Sequence, residues 1–142
     1  QDVMNVLAIA RKDFNVDPGR IYLMGHSMGG GGTFYIAMKH PGIWAALAPI
    51  APAIYARETG LEKIRHIPVI CIQGARDRLV KASKTRKWVE QMKELKMEHK
   101  YIEDPKGGHM NVAFEKMPDI FDFFNKHSKK AAGEKKEEKK RP

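Results

Sequence analysis

Gly25-His26-Ser27-Met28-Gly29 places a serine between two glycines two positions away on either side. Before it, Arg20-Ile21-Tyr22-Leu23-Met24 reads as a short buried strand; after further glycines, Thr33 to Lys39 reads as a helix. In that setting the serine sits on a tight strand-to-helix turn, its hydroxyl projecting at the carboxyl end of the sheet. Side chains at positions 25 and 29 would collide with neighbouring backbone, which accounts for glycine at both. The following helix aims its first N–H groups at the reacting centre, so the Met28 N–H is a candidate oxyanion donor.

A serine hydroxyl is a weak nucleophile and needs a base. Of six histidines, His26 adjoins the serine and is expected to point away from it. His40 ends a helix, His66 precedes a strand, His99 lies within one, and His127 is in the tail. His109 stands in the Gly107-Gly108-His109 loop after the final strand, where it can fold back over the sheet's carboxyl edge. The base needs a carboxylate to fix its tautomer and stabilise the imidazolium. Asp77, in Gly74-Ala75-Arg76-Asp77, follows the strand before the histidine's own and can approach the imidazole from the side. Asp104, five residues from His109 and followed by Pro105, is better placed to cap a turn. The bland alternative for Asp77 is an ion pair with Arg76 or Arg78.

The elements around these residues alternate. Val3, Val6, Leu7, Ala10 and Phe14 recur at helical spacing over residues 2 to 14. Strands are expected over 20–24, 44–49, 67–72 and 99–103. Helices are expected over 33–39, over the amphipathic stretch 81–97, and from Pro118 onward, with a helical turn near Val112. Strands joined by helical crossovers imply an α/β fold, a parallel sheet flanked by helices.

The chain is 142 residues long, enough for one domain or part of one. Apolar runs fall far short of the ~20 residues that span a bilayer. The single cysteine, Cys71, permits neither an internal disulfide nor a cysteine-based zinc site, and its mid-strand place suits a small core residue. Of the net charge of +9, more than half lies from Lys126 onward, where eight Lys/Arg accompany three Glu and apolar residues are nearly absent. Such a tail reads as a solvated end, so residues 128–142 are assigned to it and 1–127 to the catalytic domain. The body carries no nucleic-acid-binding signature, and neither nucleic acid nor membrane is expected as a partner.

The order Ser27, Asp77, His109 is that of the α/β-hydrolase triad. Arg20-Ile-Tyr-Leu-Met-Gly-His-Ser-Met-Gly-Gly resembles the nucleophile-elbow strand of α/β-hydrolase esterases, particularly the group near poly(3-hydroxybutyrate) depolymerases, feruloyl esterases and predicted peptidases. Asn15-Val-Asp-Pro-Gly-Arg resembles their pre-strand turn and Gly107-Gly-His109 their histidine loop. Ile67-Pro-Val-Ile-Cys-Ile-Gln-Gly-Ala-Arg-Asp resembles the acid-bearing strand and loop, although many relatives have histidine where Gln73 stands.

The resemblance implies a serine esterase acting through an acyl-enzyme, without metal or organic cofactor, on a small-molecule or polymer-linked ester. A serine peptidase of the prolyl-oligopeptidase type shares the same motifs, and a non-catalytic fragment is the non-enzyme alternative. The four strands would be the last four of a complete hydrolase, the C-terminal catalytic half. The chain opens in mid-helical pattern without an initiator methionine or signal peptide, as expected of a piece of a longer parent. The segment bearing a second oxyanion donor would lie upstream, and the serine's strand would be an open edge prone to association. The short connection over residues 51–66 leaves little room for a lid. Trp44 and Tyr55 are candidates to line the substrate pocket, with core packing the alternative for Trp44.

Overall fold

The computed structural model describes residues 2–54 and 58–129. Its elements are α1 (Asp2–Asp13), β1 (Tyr22–His26), α2 (Met28–Lys39), β2 (Ala46–Ile50), a 3-10 helix (Glu58–Ile64), β3 (Val69–Gly74), α3 (Ala82–Glu94), β4 (His99–Asp104), α4 (Asn111–Glu115) and α5 (Met117–Asn125). The strands form one parallel sheet in the order β1-β2-β3-β4. Each crossover is helical, so every strand's carboxyl end opens on the same rim, where β1 and β3 hand over to the loops bearing Ser27 and Asp77.

Alternation along the strands builds two core layers. Leu47, Val69 and Cys71 face one side and pack with Phe34 and Ala37 of α2 and Trp88, Val89 and Met92 of α3. Ala46, Ala48, Ile70 and Ile72 face the other side and meet Val112 of α4 and Ile120, Phe123 and Phe124 of α5. β2 and β3 are buried throughout, as a strand covered on both faces must be. Cys71 is among these core residues, and burial pushes its thiol up to about 12. Trp44 is also core, only 4 % exposed, in the same layer as Phe34 and Trp88. Tyr55 lies outside the described residues.

The first three strands begin and end later than their hydrophobic runs suggest, while β4 begins at His99 as expected and ends one residue later. β1 covers Tyr22–His26 rather than 20–24, because Gly25 and His26 remain paired to β2 through Pro49 and Ile50. α2 starts at Met28, so the glycine run lies inside the helix rather than in a loop before it. α3 stops at Glu94 and not at 97, since Lys96 takes a left-handed φ of 53°. β1 and β4 are the edges of the four-stranded sheet. At the far end of the described chain, Lys129 is tied to the body: its N–H donates to Gly19 O at 2.8 Å and its ammonium to Ile43 O at 3.0 Å. The remainder of the charged tail lies outside the described residues. No described helix is long and apolar enough to cross a membrane.

Candidate active site

Ser27 is the single residue between the end of β1 and the start of α2, and the chain turns there at φ 57° and ψ −114°. A serine in this region stores backbone strain. Its surroundings enforce the turn: Ser27 N–H donates to Ile50 O at 2.9 Å, and Ser27 O accepts from Ala53 N–H at 2.8 Å and Gly31 N–H at 3.1 Å. A side chain at Gly25 would strike the Gly29 backbone, and one at Gly30 would come within 2.7 Å of Ile50 O. At Gly29 itself a Cβ would meet nothing within 4 Å, so the collision expected there is not found. It is Gly29's backbone, pressed against Gly25, that closes the turn. Met28, as the first helical residue, has an N–H with no acceptor four residues back.

Asp77 and His109 meet. His109 Nδ1 donates to Asp77 Oδ2 at 2.7 Å, with the carboxylate fully buried and the imidazole side chain 10 % exposed. A neutral imidazole that donates from Nδ1 leaves the Nε2 lone pair free. Asp77 is held independently of the histidine: its Oδ1 accepts from Leu79 N–H and Val80 N–H at 2.8 Å each. Burial pushes the Asp77 carboxyl up, but the His109 bond and the two backbone donors outweigh it and leave the group below its ordinary value. It makes no ion pair with Arg76 or Arg78. The acid and histidine loops are stitched together by Arg76 N–H to Gly107 O at 2.9 Å and Ala75 N–H to Asp104 O at 2.8 Å. Asp104 caps its own turn through Lys106 N–H at 2.9 Å and pairs with Lys116 at 2.8 Å.

Two side chains join the site without having been expected there. His26 reaches the loop that carries His109. Its Nε2 donates to the His109 carbonyl oxygen at 2.8 Å, and the two rings lie 4.6 Å apart, centroid to centroid. The serine's neighbour therefore grips the loop that carries His109. Gln73, fully buried, reaches Asp77 Oδ2 at 3.3 Å and Val80 O at 3.0 Å with its amide nitrogen, while its oxygen accepts from the Thr85 hydroxyl at 2.7 Å. A polar pair at interior positions of β3 and α3, in otherwise apolar surroundings, was the available signal for it. The Ser27 hydroxyl makes no hydrogen bond among the described residues, His109 Nε2 included. Bonds of this kind often form only once substrate is bound.

The remaining histidines serve the frame: His40 caps α2 with its backbone N–H on Ile36 O and Ala37 O, the His66 ring pairs with Pro41 O, that of His99 with Met97 O, and that of His127 with Phe123 O and Glu98.

A family described as PETase, PET hydrolase-like, matches residues 6–123. Over 40 residues the chain is 48 % identical to S-formylglutathione hydrolase of Rattus norvegicus, and over 44 residues it is 41 % identical to that of Bos taurus. These stretches are 28 % and 31 % of this chain but 14 % and 16 % of the relatives. Among solved structures, a thermostable esterase superposes with a TM-score of 0.80 at 23 % identity, covering 90 % of this chain and 36 % of that one. A ferulic acid esterase gives 0.72 at 16 % identity, covering 87 % and 58 %. An acylaminoacyl peptidase of Pyrococcus horikoshii gives 0.75 at 16 % identity, covering 92 % and 28 %. The chain thus spans about a third of the thermostable esterase's length and a smaller part of the curated relatives. Its strand order, its strand-serine-helix turn and this match over most of its length agree: the chain belongs to the PET hydrolase-like family and has the α/β-hydrolase fold.

Proposed function

We propose that this chain carries the working parts of a serine esterase. Ser27 attacks the ester carbonyl while His109 Nε2 takes its proton, and Asp77 holds His109 in the Nδ1–H tautomer and stabilises the imidazolium. The Met28 N–H donates to the oxyanion, aided by the positive end of α2. Collapse of the tetrahedral species expels the alcohol, protonated by His109, and leaves an acyl-enzyme; water activated by the same histidine releases the acid. An oxyanion hole needs a second donor, which this reading places upstream of α1, and removing one such donor slows catalysis by on the order of 10²–10³. These residues require no metal or organic cofactor.

The observation that carries the reading is the buried 2.7 Å bond between His109 Nδ1 and Asp77 at the rim where Ser27 takes its strained turn. Labelling by a fluorophosphonate tests it. The expected result is one adduct per chain on Ser27, abolished by Ser27→Ala. A folded chain that stays unlabelled, or a label that survives Ser27→Ala, would overturn it. Parallel assays on p-nitrophenyl esters and peptidyl amides decide between ester and amide chemistry.

A further inference from the structure

A cavity of about 270 Å³ opens one residue from Ser27, and its walls are almost wholly apolar. It is lined by Met28, 78 % exposed, and the exposed Tyr35 of α2, by Ile54 of the segment after β2, and by the buried Phe34 and Trp88. The segment after β2 is bound to the serine turn itself through Ala53 N–H to Ser27 O at 2.8 Å. Cavity and nucleophile are therefore built on the same backbone.

The glycines of α2 say which part of this space is kept open. Gly30 and Gly31 lie against backbone: a Cβ would approach Ile50 O to 2.7 Å at the first and run into Ala53 O at the second. Packing within the chain requires glycine at both. Among the described residues Gly32 has no such reason. It lines the cavity, and a Cβ there would meet no atom within 4 Å. Glycine in a helix interior is disfavoured against nearly every other residue. At position 32 the helix carries that disadvantage where a side chain has room, and the room is the cavity.

Resting on the assignment of Ser27 as nucleophile, we infer that this cavity is the acyl site and takes an apolar acyl group of medium length, with Gly32 setting its volume. The space exceeds the roughly 150 Å³ that suffices for a benzene ring. The walls offer a charged or strongly polar acyl group little to compensate for its lost water. The carbonyl carbon bonded to Ser27 has its oxygen directed at the Met28 N–H. Met28 lines the cavity, so the group attached to that carbon has a short path inward.

Two measurements on the protein test this. In the Ser27→Ala chain, methyl hexanoate, which that variant cannot turn over, is titrated against the indole N–H resonances of Trp44 and Trp88. The Trp88 signal is expected to shift and the Trp44 signal to stay, methyl acetate moving neither. Gly32→Leu, which fills the cavity from the helix, and Ile54→Phe, which fills it from the segment after β2, are each expected to abolish the shift. With Ser27 intact, the preference for p-nitrophenyl hexanoate over p-nitrophenyl acetate is expected to fall at least about tenfold in either filled variant, through KM more than kcat. A Trp88 signal unmoved by methyl hexanoate, or an unchanged chain-length preference in a folded filled variant, would overturn the assignment. The resonance titration reads the cavity even if Ser27 proves not to be the nucleophile, so the two ideas fail separately.

Discussion

His26 Nε2 donates a 2.8 Å hydrogen bond to the backbone carbonyl of His109, eighty-three positions further along the chain. A carbonyl oxygen can only accept, so the proton is on Nε2 of His26. The last residue of β1 thereby holds the loop carrying the proposed base beside the proposed nucleophile. His26→Phe keeps a ring against His109 and removes the donor. The bond is worth about 1 kcal/mol, so fluorophosphonate labelling is expected to slow about fivefold, with a fall of about a few degrees in melting temperature. His26→Gln, which can return an N–H to the carbonyl, should recover part of the rate. An undiminished rate in His26→Phe would show that the loop holds itself.

The Asp77–His109 pair makes stability depend on pH. The folded carboxyl lies below its ordinary value, so the bound proton favours the unfolded chain. Its contribution is complete above the unfolded value near 3.9 and is lost as pH falls through the lower folded value. Asp77→Asn turns an amide N–H toward the donors of His109 and Gln73. It is expected to lower urea-monitored stability at neutral pH, the deficit narrowing below about pH 4 as the parent chain loses its carboxylate. Labelling should fall by about 10⁴, the loss that follows when a triad histidine is left in the wrong tautomer. A deficit of the same size at pH 2.5 and pH 7 would contradict the assigned linkage.

What could be read in advance followed from local chemistry. The strand-serine-helix turn announces itself because Gly25 and Ser27 occupy a geometry few residues tolerate, and the α3 crossover follows from apolar periodicity, whereas the 3-10 helix between β2 and β3 carries no such pattern. The Asp77–His109 contact is legible because a parallel sheet with helical crossovers must bring the ends of β3 and β4 to one rim. The grip of His26 is not, since nothing in a lone histidine beside a serine says which carbonyl it will find. Nor is the start of α2 within the glycine run. Propensity argues against helix over 29–32, and only the approach of the Ile50 and Ala53 carbonyls explains two of those glycines.

Thr85 fixes Gln73, and Gln73 faces Asp77. The Thr85 hydroxyl occupies the Gln73 oxygen at 2.7 Å, which turns the amide N–H groups toward Asp77 and the Val80 carbonyl. Thr85→Val is nearly the same shape but leaves a buried amide oxygen without its donor, a loss of about 1–3 kcal/mol. Urea denaturation should show that loss, and Thr85→Ser should restore most of it. With Gln73 free to flip, its oxygen would face the Asp77 carboxylate, and labelling should slow as well. A Thr85→Val chain as stable as the parent would mean that Gln73 finds another donor.

Gly31 and Gly32 are neighbours in one helix and should respond to the same substitution with opposite sign. At position 31 the added methyl runs into the Ala53 carbonyl, and the N–H of the same Ala53 is bonded to Ser27 O, so neither the helix nor the loop can yield without disturbing the serine turn. Overpacking of this kind costs about 1–3 kcal/mol. At position 32 the methyl enters open space. There Gly32→Ala is expected to stabilise the chain by about 0.5–1 kcal/mol, through reduced freedom of the unfolded backbone and better helix propensity. Thermal or urea denaturation of the two variants beside the parent reads both signs at once. Were Gly32→Ala destabilising, position 32 would have a packing partner that the described residues do not contain, and the wall of the proposed acyl site would have to be redrawn.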